Sequence, residues 1–423
     1  MGNEPQRATL ATFVIALFVV WVADLDAVAR VISMFFLIAY GMVNASAFVA
    51  SKGGSPSFRP RFRAFHWSFA LAGAIGCLVA MVKVDETYAM IALAITALVY
   101  VSLRGRVSLR GRDGAVEPAS WGGVKQGYVF GRAREDLLYL SSVSPHPRAW
   151  RPIVVAVGPD PVHEPRLVQV GAWLEGGRGL YTVAQILATA EPAFATRLQQ
   201  REAGRAELRR QLAAQEITGF CESVVVSDYH EGLAAFLQCH ALDGVRPNTV
   251  LVSIPPAGDL AGRERLLHTE AILRALDVDL VLLRPGELAL DRPVRVIDLW
   301  WRGDRNGSLM ALLAWIVTHD KAWRSCRLRI FHAVAEPSDE PPARQHLRRL
   351  LDMGRIDAEI EVFVASGHPH EFIPSRSSTA DLVMLGLSSS DVDGFPEYLA
   401  AMESMLQRLP TTLLVRSSGR ATF

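Results

Sequence analysis

The run "SMFFLIAYGMVNASAF", Ser33 to Phe48, sets four polar side chains, Ser33, Tyr40, Asn44 and Ser46, in an otherwise apolar stretch. Hydroxyls and amides in such a run ordinarily hydrogen-bond a neighbouring helix. A phenol has a second capability: its O–H can donate to a desolvated anion without a full charge that would trap it. Tyr40 and Asn44 are four apart, a spacing that puts them on one helix face. Elsewhere the chemically capable residues are scattered. His146 in "SPHPR" stands alone, and His368 and His370 in "GHPHEF" have no further Cys, His or carboxylate set to complete a metal shell. "WRGDRNG" holds Asp304 and Arg305, but no Ser/His/Asp set or paired carboxylates form around them, so no enzyme and no metal site are expected. Cys77, Cys221, Cys239 and Cys326 are far apart with no CxxC, which points to reduced thiols.

Three loops, "VGPDP" (157–161), "IPPAGD" (254–259) and "GLSSSD" (386–391), follow apolar strand-like runs. Open α/β sheets bind ligands at such loops. None is a Walker loop or a GxGxxG, and Pro255-Pro256 removes two backbone donors. These loops are therefore read as structural, with no cofactor.

The elements that would position these residues fall into two regions. The chain has 423 residues, 50% of them apolar, and a formal net charge of +1. That length implies more than one domain, and the near-neutral total gives no support for nucleic-acid binding, which normally needs a basic face. Residues 1–104 hold four apolar runs, 8–23, 31–50, 67–82 and 87–103, read as transmembrane helices. Lys52, Arg59, Arg61 and Arg63 follow the second run, and Arg104, Arg106, Arg110 and Arg112 the fourth; the opposite loops hold only Arg30 and Lys83. The positive-inside rule then puts both chain ends in the cytoplasm of a multi-pass plasma-membrane protein, with the lipid bilayer as partner. Gly73 and Gly76 would permit close helix contact.

Residues 105–150 read as a basic linker with "SLRGR" repeated at 102–106 and 108–112, followed by a connecting helix over 121–143. Beyond it, nine apolar strand-like runs alternate with helical segments, the pattern of parallel sheets covered on both faces. "TVLVSIP", helix, "DLVLLRPG" is echoed by "DLVMLGL", helix, "TTLLVRSS": Thr249 and Asp381 are 132 residues apart, as are Asp279 and Thr411. Two related cytosolic α/β halves, 151–290 and 291–423, with mainly parallel sheets are expected.

The chain resembles the cation–chloride cotransporters. "LDAVARVISMFFLIAYGMVNASAF" is similar to that family's ninth and tenth membrane helices, and "SPSFRPRFRAFHWSFALAGAIGC" to its next loop and eleventh helix. "AWRPIVVAVG", "GRGLYTVAQIL", "TGFCESVVVSD", "IDLWWRGDRNGSLMALLAWIV", "SSTADLVMLGL" and "LLVRS" follow in the family's order, with the potassium–chloride branch favoured over the sodium–potassium–chloride branch. The resemblance implies the last four helices of an inverted-repeat symporter of chloride and a monovalent cation, plus its cytosolic domain, which assembles a homodimer and regulates transport. It also implies that Tyr40 contacts chloride, while Asn44, Ser33 and Ser46 remain packing residues. The first eight helices of the family's pattern have no counterpart here, so the chain is expected not to transport alone and to need an N-terminal transporter half, on the same or a separate chain. Arg30 stands where the family has proline, which puts local packing there in question. The insertion that animal members carry before the "SSTA" stretch is short here, against phosphorylation control of the animal kind. Two other readings stay open: a membrane-anchored α/β scaffold without transport, and a permease of the amino-acid transporter superfamily.

Overall fold

The computed structural model describes residues 24–52, 66–110, 122–143, 150–242, 245–256, 258–286, 294–365, 367–387 and 395–421, with Leu10, Phe13, Val14, Leu17 and Trp21. The first predicted span, 8–23, lies outside the described residues apart from those five positions, as do Arg59, Arg61, Arg63 and Arg112. The chain divides into two units, Met1–Tyr139 and Leu140–Phe423.

In the first unit three helices are described up to Arg110: α1 (Leu25–Lys52), α2 (Trp67–Val84) and α3 (Glu86–Arg110). Asp24, Asp26 and the apolar run behind them start α1; Asp85 ends α2 and starts α3, accepting from the amides of Thr87 at 3.0 Å and Tyr88 at 3.2 Å. A side chain that satisfies two orphan donors at a helix start fixes the turn. Arg30 of α1 reaches Asp85 at 3.4 Å and lies over the Tyr88 ring, so it ties the α2–α3 corner to α1. Helices α1 and α2 pack antiparallel: Met34 and Met81 are buried in one cluster, and Phe48 meets Trp67 with ring centroids 5.9 Å apart. Two helices, over Asp26–Val49 and Trp67–Val84, are long and apolar enough to cross a membrane. The expected span 87–103 falls within α3. Helix α4 (Gly122–Ser142) occupies the predicted connecting segment.

The second unit is built on one ten-stranded sheet. Its elements, in order, are β1 (Ile153–Gly158), α5 (Pro165–Glu175), β2 (Leu180–Ala188), α6 (Phe194–Ala214), β3 (Phe220–Val226), α7 (Tyr229–Cys239), β4 (Thr249–Ser253), α8 (Leu260–Ala275), β5 (Asp279–Arg284), β6 (Arg295–Trp300), α9 (Asp304–Thr318), β7 (Cys326–Val334), α10 (Glu340–Gly354), β8 (Glu359–Val364), α11 (Pro369–Arg376), β9 (Leu382–Gly386), α12 (Phe395–Leu406) and β10 (Thr411–Arg416). The strand order is β3-β2-β1-β4-β5-β10-β9-β6-β7-β8. Read inward from each edge, both halves have one winding, and the echoed segments are β4–α8–β5 and β9–α12–β10.

Two sheets were expected and one is found. The reason lies in the last strand of each half: β5 and β10 would both be long apolar edges, open to foreign strands. They pair with each other antiparallel, Leu282 opposite Leu414, while every other neighbour pair is parallel. Alternate residues of these strands enter opposite cores. Val281, Leu283, Leu413 and Val415 pack with α5, α6, α9 and α10, whereas Leu280, Leu282 and Leu414 pack with α7, α8, α11 and α12. Burial on both faces is why the strands read as continuous apolar runs. Strand β2 was not anticipated, because Thr182 and Gln185 break its apolar run; Gln185 accepts from the Ser223 hydroxyl of β3 at 3.1 Å.

Candidate functional site

On α1 the four polar residues divide. Asn44 faces α2: a Cβ added at Gly73 would come within 2.9 Å of the Asn44 amide, so glycine there is what lets the two helices close on it. Ser33 donates to the Ala29 carbonyl one turn back at 2.8 Å, and Ser46 is half-buried. Tyr40 lies on the open flank, 61% exposed and stacked on Phe36 at 6.5 Å. Its hydroxyl has no hydrogen-bond partner among the described residues. Tyr40 and Asn44 therefore diverge despite their spacing, because four residues overshoot a full turn by about 40° and the α1–α2 seam passes between them.

The α/β unit has two equivalent positions where the winding reverses, between β1 and β4 and between β6 and β9. Such switch points leave a crevice at the carboxyl ends of the strands. In the first half Glu164 fills it. Its carboxyl is hydrogen-bonded by Ser253 at the end of β4 and lies beside Asp160, and burial pushes it above the usual carboxylate range. "VGPDP" leads into this plug, with Asp160 against His163 at 2.6 Å, and Asp259 of "IPPAGD" caps α8 through the Gly262 amide at 2.8 Å. Both loops serve the fold.

In the second half the crevice is open. A cavity of about 390 Å³ is lined by Arg274, Arg302, Asp304, Arg305, Asn306 and Arg416, with Met310, Gly386 and Leu387 beside them. The residues of "WRGDRNG" make its floor. Trp301 is buried and packs on Gly307 of α9, where a Cβ would sit 2.5 Å from the indole ring. Gly303 begins α9 without a side-chain cap. Asn306 clamps two strand ends, donating to the Leu387 carbonyl at 2.7 Å and accepting from the Ser417 amide at 2.9 Å. Asp304 accepts from the Trp301 indole at 3.3 Å and meets His346 at 3.0 Å. Glu270, itself buried, is shared by Arg274 at 2.7 Å and Arg416 at 3.4 Å. Asp279 accepts from the Ser418 amide at 2.5 Å, and burial holds its carboxyl above the ordinary aspartate value. The Arg416 guanidinium is pushed down from its usual value by burial, an effect that Glu270 offsets.

The sequence does not reveal this cleft because Arg274 comes from α8, Arg302 and Arg305 from "WRGDRNG", and Arg416 from the end of β10. "WRGDRNG" carries two of the four, and two arginines in one loop are too few to mark a cationic pocket. "GLSSSD" lies outside the described residues after Leu387, and His146 lies outside them too. His368 precedes α11 and His370 sits in its first turn. No group of three His, Cys, Asp or Glu among the described residues could hold a metal ion.

The floor of the cleft, β6 and the start of α9, lies in a segment with known relatives. Residues 289–371 match Solute carrier family 12. This is the cation–chloride cotransporter family that the sequence resembles, and the matched segment runs from β6 through β8 to the start of α11. The solute carrier family 12 segment thus supplies "WRGDRNG" and one side of the cleft. The chain is also similar in structure to the cytoplasmic domain of a prokaryotic cation chloride cotransporter, at 16% identity and a TM-score of 0.45, covering 64% of this chain and 98% of that one. A universal stress protein from Archaeoglobus fulgidus DSM 4304 is similar at 13% identity and a TM-score of 0.41, covering 62% of this chain and 95% of that one.

Proposed function

We propose that this chain serves as the C-terminal portion of a cation–chloride symporter in the plasma membrane. Its helices within 1–104 contribute to the ion pathway, the segment 105–150 connects them to the cytoplasmic side, and the halves 151–290 and 291–423 assemble a homodimer and adjust transport. The observation that carries this reading is the solute carrier family 12 match over residues 289–371, in line with cotransporter-like motifs on both sides of it. Tyr40 is the residue assigned to chloride. An exposed phenol on an apolar helix, with an unengaged O–H, is suited to replace part of an anion's hydration shell. Asn44, engaged at the α2 contact, is not.

The test is chloride-dependent rubidium uptake into proteoliposomes, with this chain alone and together with the N-terminal transporter half. Uptake is expected only with both, and Tyr40→Phe should raise the chloride concentration for half-maximal rate by about tenfold, the worth of one hydrogen bond to a charged group. Uptake by this chain alone would contradict the need for a second half. An unchanged chloride response in Tyr40→Phe would remove the residue assignment. No uptake in any combination would favour the membrane-anchored scaffold.

A further inference from the structure

We propose that the open cleft of the second α/β half binds a small phosphorylated ligand, its phosphate seated over the first turn of α9 among Arg302, Arg305 and Arg416. This does not rest on the transport reading. Four arginines line the cavity against one carboxylate, Asp304, which is already occupied by Trp301 and His346. Glu270 behind the wall is divided between two of the four, so the cations outnumber their local counter-charges. Arg416 is only 9% exposed, with its Nε 3.4 Å from Glu270 and its Nη2 donating to the Val278 carbonyl at 3.1 Å, and Arg305 donates through one nitrogen to the Ser418 carbonyl at 2.6 Å, which leaves the rest of its guanidinium fork to the cleft. Arg302, at the mouth, has no partner among the described residues. Guanidinium groups gathered around one open cleft favour an anion with several oxygens there.

The backbone adds a second contribution. Because no side chain caps α9, the first-turn amides of Asp304, Arg305 and Asn306 have no acceptor among the described residues, and they open on the same cavity. Amides at a helix start favour negative charge. Guanidinium forks and several N–H groups converging from different elements suit the multiple oxygens of a phosphate better than a spherical ion. The cavity, about 390 Å³, is within the size range of small-molecule sites, and Met310 and Leu387 offer apolar contact to a body beyond the phosphate. The first half makes the contrast: at the matching switch point Glu164 fills the crevice with a carboxyl group, which would repel the same ligand.

The experiment is calorimetric titration of the full chain in detergent with inorganic phosphate, AMP and ATP, each against sodium chloride at equal ionic strength. Saturable binding of at least one phosphate probe is expected. Arg302→Ala should weaken it by about tenfold to a hundredfold, the worth of a hydrogen bond between charged groups. Arg302→Lys should restore part of that loss, because it keeps the charge but not the fork. AMP or ATP binding tighter than inorganic phosphate would identify a phosphate ester; equal affinity would identify free phosphate, with the same site. Arg302 makes no contact that the fold uses, so an unchanged thermal midpoint without ligand confirms that the variant is folded. Arg302→Gln serves the same test if alanine disturbs it. The proposal is overturned if no phosphate probe binds beyond the chloride control, or if Arg302→Ala binds as the parent does.

Discussion

Replacing Arg329 by alanine should strand a buried carboxylate in the middle of the solute carrier family 12 segment. Asp298 of β6 is 0% exposed, and Arg329, its direct neighbour on β7, spans both oxygens, with Nε 2.7 Å from Oδ1 and Nη2 2.9 Å from Oδ2. Burial pushes the Asp298 carboxyl up, while the Arg329 and Ser377 hydrogen bonds pull it back. Losing one partner of a buried pair costs about 3–5 kcal/mol, mostly for the charge left behind. Arg329 is itself 23% exposed and water can reach its place, so the lower end, about 3 kcal/mol, is expected. At roughly 2–4 °C per kcal/mol for a domain of this size, the midpoint should fall by about 6–12 °C.

The pH dependence fixes the cause. Without Arg329 the folded-state pKa of Asp298 rises further above its unfolded value. Such a group favours the fold below the unfolded pKa, and that contribution is lost as pH rises through the folded one. The deficit of Arg329→Ala should therefore be largest near about pH 7 and shrink toward about pH 4. Asp298→Asn in the same chain should recover much of it, because the charge is then gone. Urea unfolding followed by tryptophan fluorescence suits this, since Trp300 stacks on Phe331 beside the pair with ring centroids 4.8 Å apart. A loss under about 1 kcal/mol, a deficit independent of pH, or a double variant no better than the single one would refute the reasoning.

Two further outcomes follow from the clefts. Glu164→Gln should stabilise the protein at neutral pH and leave it unchanged in acid, because burial raises the Glu164 pKa and the ionised form costs stability above it; parallel stability–pH curves for parent and variant would count against the plug. Gly307→Ala should cost about 1–3 kcal/mol by driving a methyl into the Trp301 ring, whereas Gly303→Ala, which has open space around its added Cβ, should leave the thermal midpoint nearly unchanged.

Much of the fold was legible because two-sided burial leaves a plain mark: nine of the strands are short apolar runs between helical segments, and the echo at 132 residues marks the strands β4, β5, β9 and β10. Strand β2 escaped because a parallel strand can carry Thr182 and Gln185 where neighbours, here His240 and Ser223, satisfy them. The α1 stretch was legible as a helix, while how far Tyr40 and Asn44 part depends on where α2 packs, since a four-residue spacing is only nearly a full turn.

The sequence by itself determined the element types, the alternation of strand and helix, and the family of the 289–371 segment. Each of these is written in local order: period, apolar runs, and motifs of contiguous residues. What only the tertiary structure decided was which elements meet. Strands β5 and β10 join two halves into one sheet because each removes the other's open edge. Arg274, Arg302, Arg305 and Arg416 face one cavity because β6, β9 and β10 end side by side, although they come from α8, the β6–α9 loop, α9 and the end of β10. Side chains converge on a site through sheet order, and sheet order is a long-range pairing that no local spacing records.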